Sequence, residues 1–130
     1  MKGTKILKHL AFAITAVTLS ACMATTDSQP TDPFPANYRQ IVADHLKSNL
    51  FDPYSVQNAQ ISEPRVHNAI AGPRWNVCFR GNAKNRLGGY TGMRDTLFVI
   101  QNGRIIATDD KYGSTTCAGA TFGPFPELAG

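Results

Sequence analysis

A charge-free run of ten residues, 10–19, follows a basic stretch that contains Lys2, Lys5 and Lys8. As a helix, ten residues rise only about 15 Å, which is half the thickness of a bilayer core. The run is therefore too short to span a membrane, and its position after basic residues is typical of a secretory signal peptide. Removal of this segment would leave enough chain for one domain.

The apolar run ends in Leu19-Ser20-Ala21-Cys22, which resembles the lipobox of bacterial lipoproteins. In that family the cysteine thiol receives a diacylglyceryl group, the signal is cut before the cysteine, and the new amine is acylated. The resemblance implies that residues 1–21 are a signal peptide and that Cys22 is the lipidation site. Several acyl chains hold a protein stably at a membrane, whereas one binds only marginally. The alternative is an ordinary signal peptide followed by an incidental cysteine.

Met23 is the residue that bears on which membrane the anchor would enter. In enterobacterial lipoproteins, an aspartate at this position retains the protein at the inner membrane. Its absence favours the outer membrane. Because most lipoproteins with such an anchor face the periplasm, we expect the same orientation here.

Residues 24–36 contain three prolines, several hydroxyl side chains and one large apolar side chain, Phe34. Such a composition buries too little surface to offset the entropy lost on ordering. We therefore expect residues 22–36 to form a flexible tether, which could reach at most about 45 Å. The alternative is a packed N-terminal arm that Phe34 anchors.

The charge of the chain is concentrated in the predicted signal. The net charge is +4, from 13 basic and 9 acidic residues, but only 10 basic residues and all 9 acidic ones follow residue 21. A mature charge of +1 and a secreted location argue against nucleic-acid binding.

Residues 37–130 are predicted to form the globular part. Asn37 and Gln40 have the spacing of a capping box at the start of a helix. The apolar face of this helix would consist of Tyr38, Ile41, Val42 and Leu46. The period of these positions predicts an amphipathic helix of three to four turns. Asp52-Pro53 would end it, because proline keeps the preceding residue out of the helical region.

Short runs with strand-like composition follow the helix. They are residues 55–62, 74–80, 94–101 and 104–108. Asn102-Gly103 lies between the last two runs, and this dipeptide is a strong signal for a tight β-hairpin. We therefore predict an α+β fold in which one N-terminal helix packs on an antiparallel meander of three to four strands.

Cys78 and Cys117 remain once Cys22 is assigned to the lipid. An even pair in an oxidising compartment predicts a disulfide, which would fasten the Gly- and Thr-rich tail to the sheet. The alternative is two buried free thiols. No CxxC motif is present, so the pattern does not indicate a redox or zinc site.

Residues 81–93 form a glycine-rich segment between two predicted strands. It lacks the Gly-Lys-Ser/Thr of a phosphate-binding loop and does not open a helix, so no nucleotide cofactor is expected. Three motifs resemble a group of small, largely uncharacterised proteobacterial lipoproteins. These are Asp52-Pro53-x-Ser55, Trp75-x-Val77-Cys78, and Asn82-Ala83-Lys84-Asn85 continuing into Gly88-Gly89-Tyr90-Thr91-Gly92. The resemblance spans about 40 residues and implies no activity.

The same segment carries the candidate binding residues. Lys84, Asn85 and Tyr90 could contact a glycan, a peptide or a protein edge, because connections on a rigid sheet often carry binding residues. The alternative is that the asparagine side chains close turns and Tyr90 packs under the loop. A glycine-rich loop of this length is uncommon without a function.

Catalytic and metal-binding patterns are absent from the sequence. His45 and His67 lie apart, and the two glutamates, Glu63 and Glu127, are not near another acid. We therefore expect no enzyme, metal or cofactor. The sequence favours a lipid-anchored binding or adaptor module whose partner is an envelope protein or the cell wall. The alternative is a surface-exposed interaction protein, such as an enzyme inhibitor or an exclusion factor.

Overall fold

The amphipathic helix predicted near residue 38 is present as α1, Tyr38–Asn49. In the computed structural model, which describes residues 28–111 and 113–128, its buried side chains are Val42, Ala43 and Leu46. Asn37 occupies the N-cap position, but its side chain makes no capping hydrogen bond. Gln40 Nε2 instead donates to Asp44 Oδ1 at 2.7 Å, so the predicted capping box is wrong.

Six strands follow α1 in the described residues. They are β1 (Gln57–Ser62), β2 (Arg65–Ala69), β3 (Gly72–Asn82), β4 (Arg94–Gln101), β5 (Arg104–Asp109) and β6 (Phe122–Pro124). A 3₁₀ turn (Pro53–Ser55) precedes β1, a short helix α2 (Gly113–Thr116) precedes β6, and a second 3₁₀ turn (Pro126–Leu128) follows it.

All six strands belong to one antiparallel sheet with the order β5-β4-β3-β1-β6, in which β2 also pairs with β3. β1 and β2 lie one after the other along the same side of β3, because Glu63-Pro64 interrupts the chain between them. Proline removes a backbone donor and is poorly tolerated in a continuous strand.

The predicted α+β fold, with the helix on a meander of three to four strands, is wrong. The sheet has six strands and the protein is mainly β. The order is also not that of a meander, because β1 pairs with β3 and β6 and not with β2. The two strands that were not predicted are β2, which pairs with β3, and β6, which pairs with β1.

Both faces of the sheet are covered. On the first face, Val77, Phe79 and Phe98 pack with α1 and with Phe125 and Leu128 from the tail. On the second face, Cys78 and Leu97 pack with Cys117. Burial on both faces explains why the middle of β3 is a nearly continuous buried run.

The predicted disulfide joins Cys78 and Cys117, whose Cα atoms lie 5.8 Å apart. It fastens the segment after α2 to the second face of the sheet. Beside it, the Arg80 guanidinium binds Asp95 through two hydrogen bonds of 2.6 and 2.8 Å and lies 4.1 Å from the Phe122 ring centroid. The tail is thus held by a covalent bond and by packing.

An N-terminal arm precedes α1 and contacts the sheet. Trp75 Nε1 donates to the Asp32 carbonyl oxygen at 3.2 Å, and the amide of Asn102 donates to Asp32 Oδ2 at 3.0 Å. The Phe34 ring packs edge-on against Trp75, with centroids 5.3 Å apart. Asp32 and Phe34 belong to the segment 22–36, for which the sequence predicts a flexible tether. Residues 1–21 and Cys22, the predicted signal peptide and lipidation site, lie outside the described residues.

The two ends of the sheet contact different parts of the chain. The arm end contains the β2–β3 and β4–β5 hairpin turns, together with Trp75 and Asn102, which bind the arm. The loop end contains the connection between β3 and β4, residues 83–93. α1 runs between these ends, since Phe34 contacts Tyr38 at its start.

In the part of the chain that the structure describes, no helix is long and apolar enough to cross a membrane.

Candidate partner-binding site

The connection between β3 and β4 folds back on itself as a small, ordered loop. Lys84 and Tyr90 form an isolated antiparallel bridge. Inside it, the Asn85 amide donates to the Gly89 carbonyl oxygen at 2.8 Å, and Gly88 donates to the Asn85 carbonyl oxygen at 3.0 Å. Gly88 has a φ of +81°, which a residue with a side chain rarely adopts, so glycine is required there.

The Asn85 side chain closes this turn. Its Oδ1 accepts hydrogen bonds from the amides of Leu87 and Gly89, both at 3.0 Å. The predicted role of Asn85 as a contact residue therefore competes with a structural one, because its carboxamide oxygen already has two donors. This geometry is the one expected if asparagine side chains close the turns.

The base of the loop is fixed to β3 and β1. Thr91 donates its amide to the Ala83 carbonyl oxygen at 3.2 Å, and Gly92 donates to Asn82 Oδ1 at 2.9 Å. Asn82 Nδ2 donates in turn to Gln57 Oε1 at 3.2 Å. Hydrogen bonds thus hold the base of the loop in place, which limits the conformational entropy that the loop would lose on binding a partner.

The loop also docks on the 3₁₀ turn that follows α1. The Tyr90 hydroxyl donates to the Ser55 carbonyl oxygen at 2.9 Å, and Lys84 Nζ lies 3.2 Å from Asp52 Oδ2. The hydrogen bond from the Lys84 ammonium lowers the pKa of the Asp52 carboxyl below its ordinary value. Lys84 and Tyr90 therefore join two segments that are more than thirty residues apart.

Three aromatic side chains are exposed around this junction. Phe51 is 64 % exposed, Tyr54 is 65 % exposed and Tyr90 is 43 % exposed. Lys47 Nζ lies 6.0 Å from the Tyr54 ring centroid, and Lys84 Nζ lies 5.4 Å from that of Tyr90. We name these five residues the aromatic–lysine surface. Tyr90 does not pack under the loop, since nearly half of it faces solvent.

Two residues of this surface, Lys84 and Tyr90, are among the predicted contact residues, and the other three are not. No role is predicted from the sequence for the other three, Lys47, Phe51 and Tyr54. A signal was present, because Phe51 and Tyr54 flank Asp52-Pro53, where the chain must leave the helix and turn at the surface. Which residues lie opposite that turn depends on the tertiary fold.

The two histidines in the described part of the chain, His45 and His67, lie on different elements. His45 is half-buried, and its ring packs edge-on against Phe98 with centroids 5.3 Å apart. His67 is exposed on β2. Within residues 28–111 and 113–128, no three His, Cys, Asp or Glu side chains are grouped in a way that could hold a metal ion.

A cleft of about 560 Å³ lies elsewhere, between the start of α1, the corner joining β1 to β2, and β6. Its wall includes Arg39, whose guanidinium binds both carboxylate oxygens of Glu127 and the Pro124 carbonyl oxygen. The charge of Arg39 is thus used to hold the tail on α1. The lining of the cleft also includes the exposed side chains of Glu63 and Arg65.

Comparisons of this chain with models of protein families, with curated proteins and with solved structures gave no significant match. The interpretation of the site consequently rests on the chemistry and geometry of its own residues.

Proposed function

We propose that this chain is a lipid-anchored protein of the bacterial outer membrane that faces the periplasm and binds another envelope protein through its aromatic–lysine surface. The proposed anchor is Cys22, after removal of residues 1–21. The observation that carries the proposal is the exposure of Phe51, Tyr54 and Tyr90 together at one end of a rigid sheet. Clustered exposed apolar side chains on a small domain mark interaction sites.

The placement of this surface relative to the arm supports the proposal. The arm contacts Trp75 and Asn102, whereas Lys84 and Tyr90 follow the far end of β3. The eleven residues of β3 span about 33 Å between these two ends. A domain tethered by its arm can therefore present the aromatic–lysine surface away from the membrane.

The residue types suit a protein partner that has an acidic rim. Tyrosine provides a large contact area and has few rotatable bonds to restrict. Lys84 is paired with Asp52, but Lys47 makes no ion pair within the described residues. Lys47 is thus the cation that can meet a partner carboxylate beside the ring of Tyr54.

In-cell crosslinking tests this proposal. A photoreactive residue at position 54 should capture one envelope protein, and the double variant Phe51→Ala/Tyr54→Ala should lose that product when the probe is moved to position 47. The matched control is Ile106→Ala, which truncates a side chain of similar exposure on β5. Equal capture by parent, double variant and control would contradict the proposal.

Two further experiments distinguish a protein partner from the cell wall, and a periplasmic from a surface-exposed domain. Binding of the purified protein to isolated cell wall, in place of a crosslinked protein, would identify a glycan as the partner. Digestion of intact cells with protease should leave the domain uncut if it faces the periplasm. Cleavage would instead support a surface-exposed inhibitor or exclusion factor.

A further inference from the structure

The arm end of the sheet carries two hairpin tips side by side. The β2–β3 turn contains Ile70 and Ala71, and the β4–β5 turn contains Asn102 and Gly103. They lie at the same end because Trp75 pairs with Ile100 across β3 and β4. Ile70 at the first tip is fully exposed, although a large aliphatic side chain gains free energy when it leaves water.

The chain enters the domain at this same end. Asp32 is buried, its carbonyl oxygen accepts the Trp75 hydrogen bond and its Oδ2 accepts that of Asn102, so residue 32 lies beside the hairpin tips. Cys22 lies ten residues before Asp32, which bounds its distance from Asp32 to at most about 35 Å. A bilayer that held Cys22 would therefore lie within reach of Ile70.

The charge of this end matches an anionic lipid surface. Arg74 donates to the carbonyl oxygens of Ala71 and Pro73, at 3.1 and 3.0 Å, which holds its guanidinium at the tip that carries Ile70. Arg104 is exposed directly after the second tip. The carboxylate of Asp32 also lies at this end but is buried, and no Asp or Glu occurs from residue 64 to 94 or from residue 96 to 108. Arginines beside an apolar tip favour contact with acidic phospholipid headgroups.

We propose that the Ile70 hairpin tip inserts into the headgroup region of the membrane that anchors the chain, with Arg74 and Arg104 against acidic phospholipids. The proposal rests on the lipid anchor proposed above. One isoleucine and two arginines bind weakly alone, but a tether converts the contact into an intramolecular one at high effective concentration. The contact would orient the domain so that the aromatic–lysine surface points away from the bilayer.

Tryptophan quenching by brominated lipid tests this contact in the full, lipidated protein. The parent has one tryptophan, Trp75, which gives the baseline. Ile70→Trp and Leu87→Trp each add a second tryptophan at an exposed tip, the first at the arm end and the second at the loop end. Because both side chains are almost wholly exposed, neither change should disturb folding.

In vesicles of phosphatidylglycerol and brominated phosphatidylcholine, we expect the fluorescence added by Ile70→Trp to be quenched at least twofold. The fluorescence added by Leu87→Trp should stay unquenched. Adding Arg104→Glu to Ile70→Trp should reduce the quenching, since the headgroups are acidic.

Flotation of the same vesicles separates the two proposals. Protein that fails to float overturns the lipid anchor and this contact with it. Protein that floats, with equal quenching at positions 70 and 87 or with none at position 70, overturns the hairpin contact alone.

Discussion

The Tyr90 hydroxyl donates a 2.9 Å hydrogen bond to the carbonyl oxygen of Ser55, which lies 35 residues earlier in the chain. This bond connects the glycine-rich loop to the turn after α1. It makes one surface from Tyr54 and Tyr90, which the sequence separates. The candidate site therefore depends on a contact between two segments that each have an ordinary local structure.

Tyr90→Phe removes this bond and keeps the ring beside Lys84. We expect the free energy of unfolding to fall by about 1 kcal/mol, the usual contribution of a neutral hydrogen bond. Tyr90→Ala should lower the free energy of unfolding somewhat more than Tyr90→Phe. The loss should stay below the roughly 3–5 kcal/mol that truncation of a fully buried aromatic side chain costs, because Tyr90 is 43 % exposed. Urea denaturation measures both, with Leu87→Ala as the control. A loss for Tyr90→Phe as large as that for a core residue would contradict the exposed position.

The disulfide between Cys78 and Cys117 closes a loop with a sequence separation of 39. The chain-entropy relation gives about 4 kcal/mol for a loop of this size. We therefore expect Cys78→Ser/Cys117→Ser to lose about that much free energy of unfolding, and the parent in reductant to match it. Thiol labelling of denatured, unreduced protein should find neither cysteine free. Labelling of both would mean that the bridge is absent.

Local patterns were enough to predict α1, four strand-like runs that overlap β1, β3, β4 and β5, and the Asn102-Gly103 hairpin. Asn102 and Gly103 have φ values of +50° and +72°, as a tight hairpin of this type requires. Helix periodicity and turn chemistry depend on residues that are close in sequence, so both can be predicted without knowledge of the tertiary fold.

The strands that were missed owe their structure to distant partners. β2 consists mainly of polar and small residues and is a strand because it pairs with residues 72–76 of β3. β6 has three residues, including Gly123 and Pro124, and exists because it pairs with Gln60 to Ser62 of β1. Neither has a strand-like composition of its own. The same reason explains why the sequence indicated the loop but not its docking on the turn at Ser55.

Gly113 at the start of α2 lies against β4 with no space for a side chain. A Cβ at this position would lie 2.3 Å from the Asp95 carbonyl oxygen, and neither backbone can move without disturbing α2 or the sheet. We expect Gly113→Ala to lower the free energy of unfolding by about 1–3 kcal/mol. Gly123→Ala is the matched control, because a Cβ there meets nothing within 4 Å. Thermal unfolding that ranks the two variants equally would contradict this contact.

Cys22 is expected to carry the lipid and to be the first residue of the mature chain. Mass spectrometry of the mature N-terminus should find an acylated Cys22, because its thiol is the group that receives the diacylglyceryl moiety in lipoproteins. Cys22→Ser should leave the precursor uncut and residues 1–21 attached. The control is Met23→Ala, which should be processed normally. An unmodified N-terminus at another residue would contradict the prediction.

Glu127 links the C-terminal turn to α1 by accepting two hydrogen bonds from the Arg39 guanidinium. The bond from Arg39 Nη2 to Glu127 Oε2 measures 2.8 Å. The bond from Arg39 lowers the pKa of the Glu127 carboxyl in the folded protein, whereas the unfolded chain has a value of about 4.3. A lowered pKa gives a contribution to stability that is complete above about pH 4.3 and is lost as pH falls through the folded value.

We therefore expect Glu127→Gln to be less stable than the parent above the pKa of the unfolded carboxyl, about 4.3, with the difference shrinking as the pH falls below it. Because both side chains are about one-third exposed, the difference should not exceed about 1 kcal/mol. A double-mutant cycle with Arg39→Gln isolates the pair, since Glu127→Gln should then lose most of its pH-dependent effect. Urea denaturation at several pH values measures all four proteins. A difference that grows as the pH falls would have the wrong sign and would show that Arg39 does not stabilise the carboxylate.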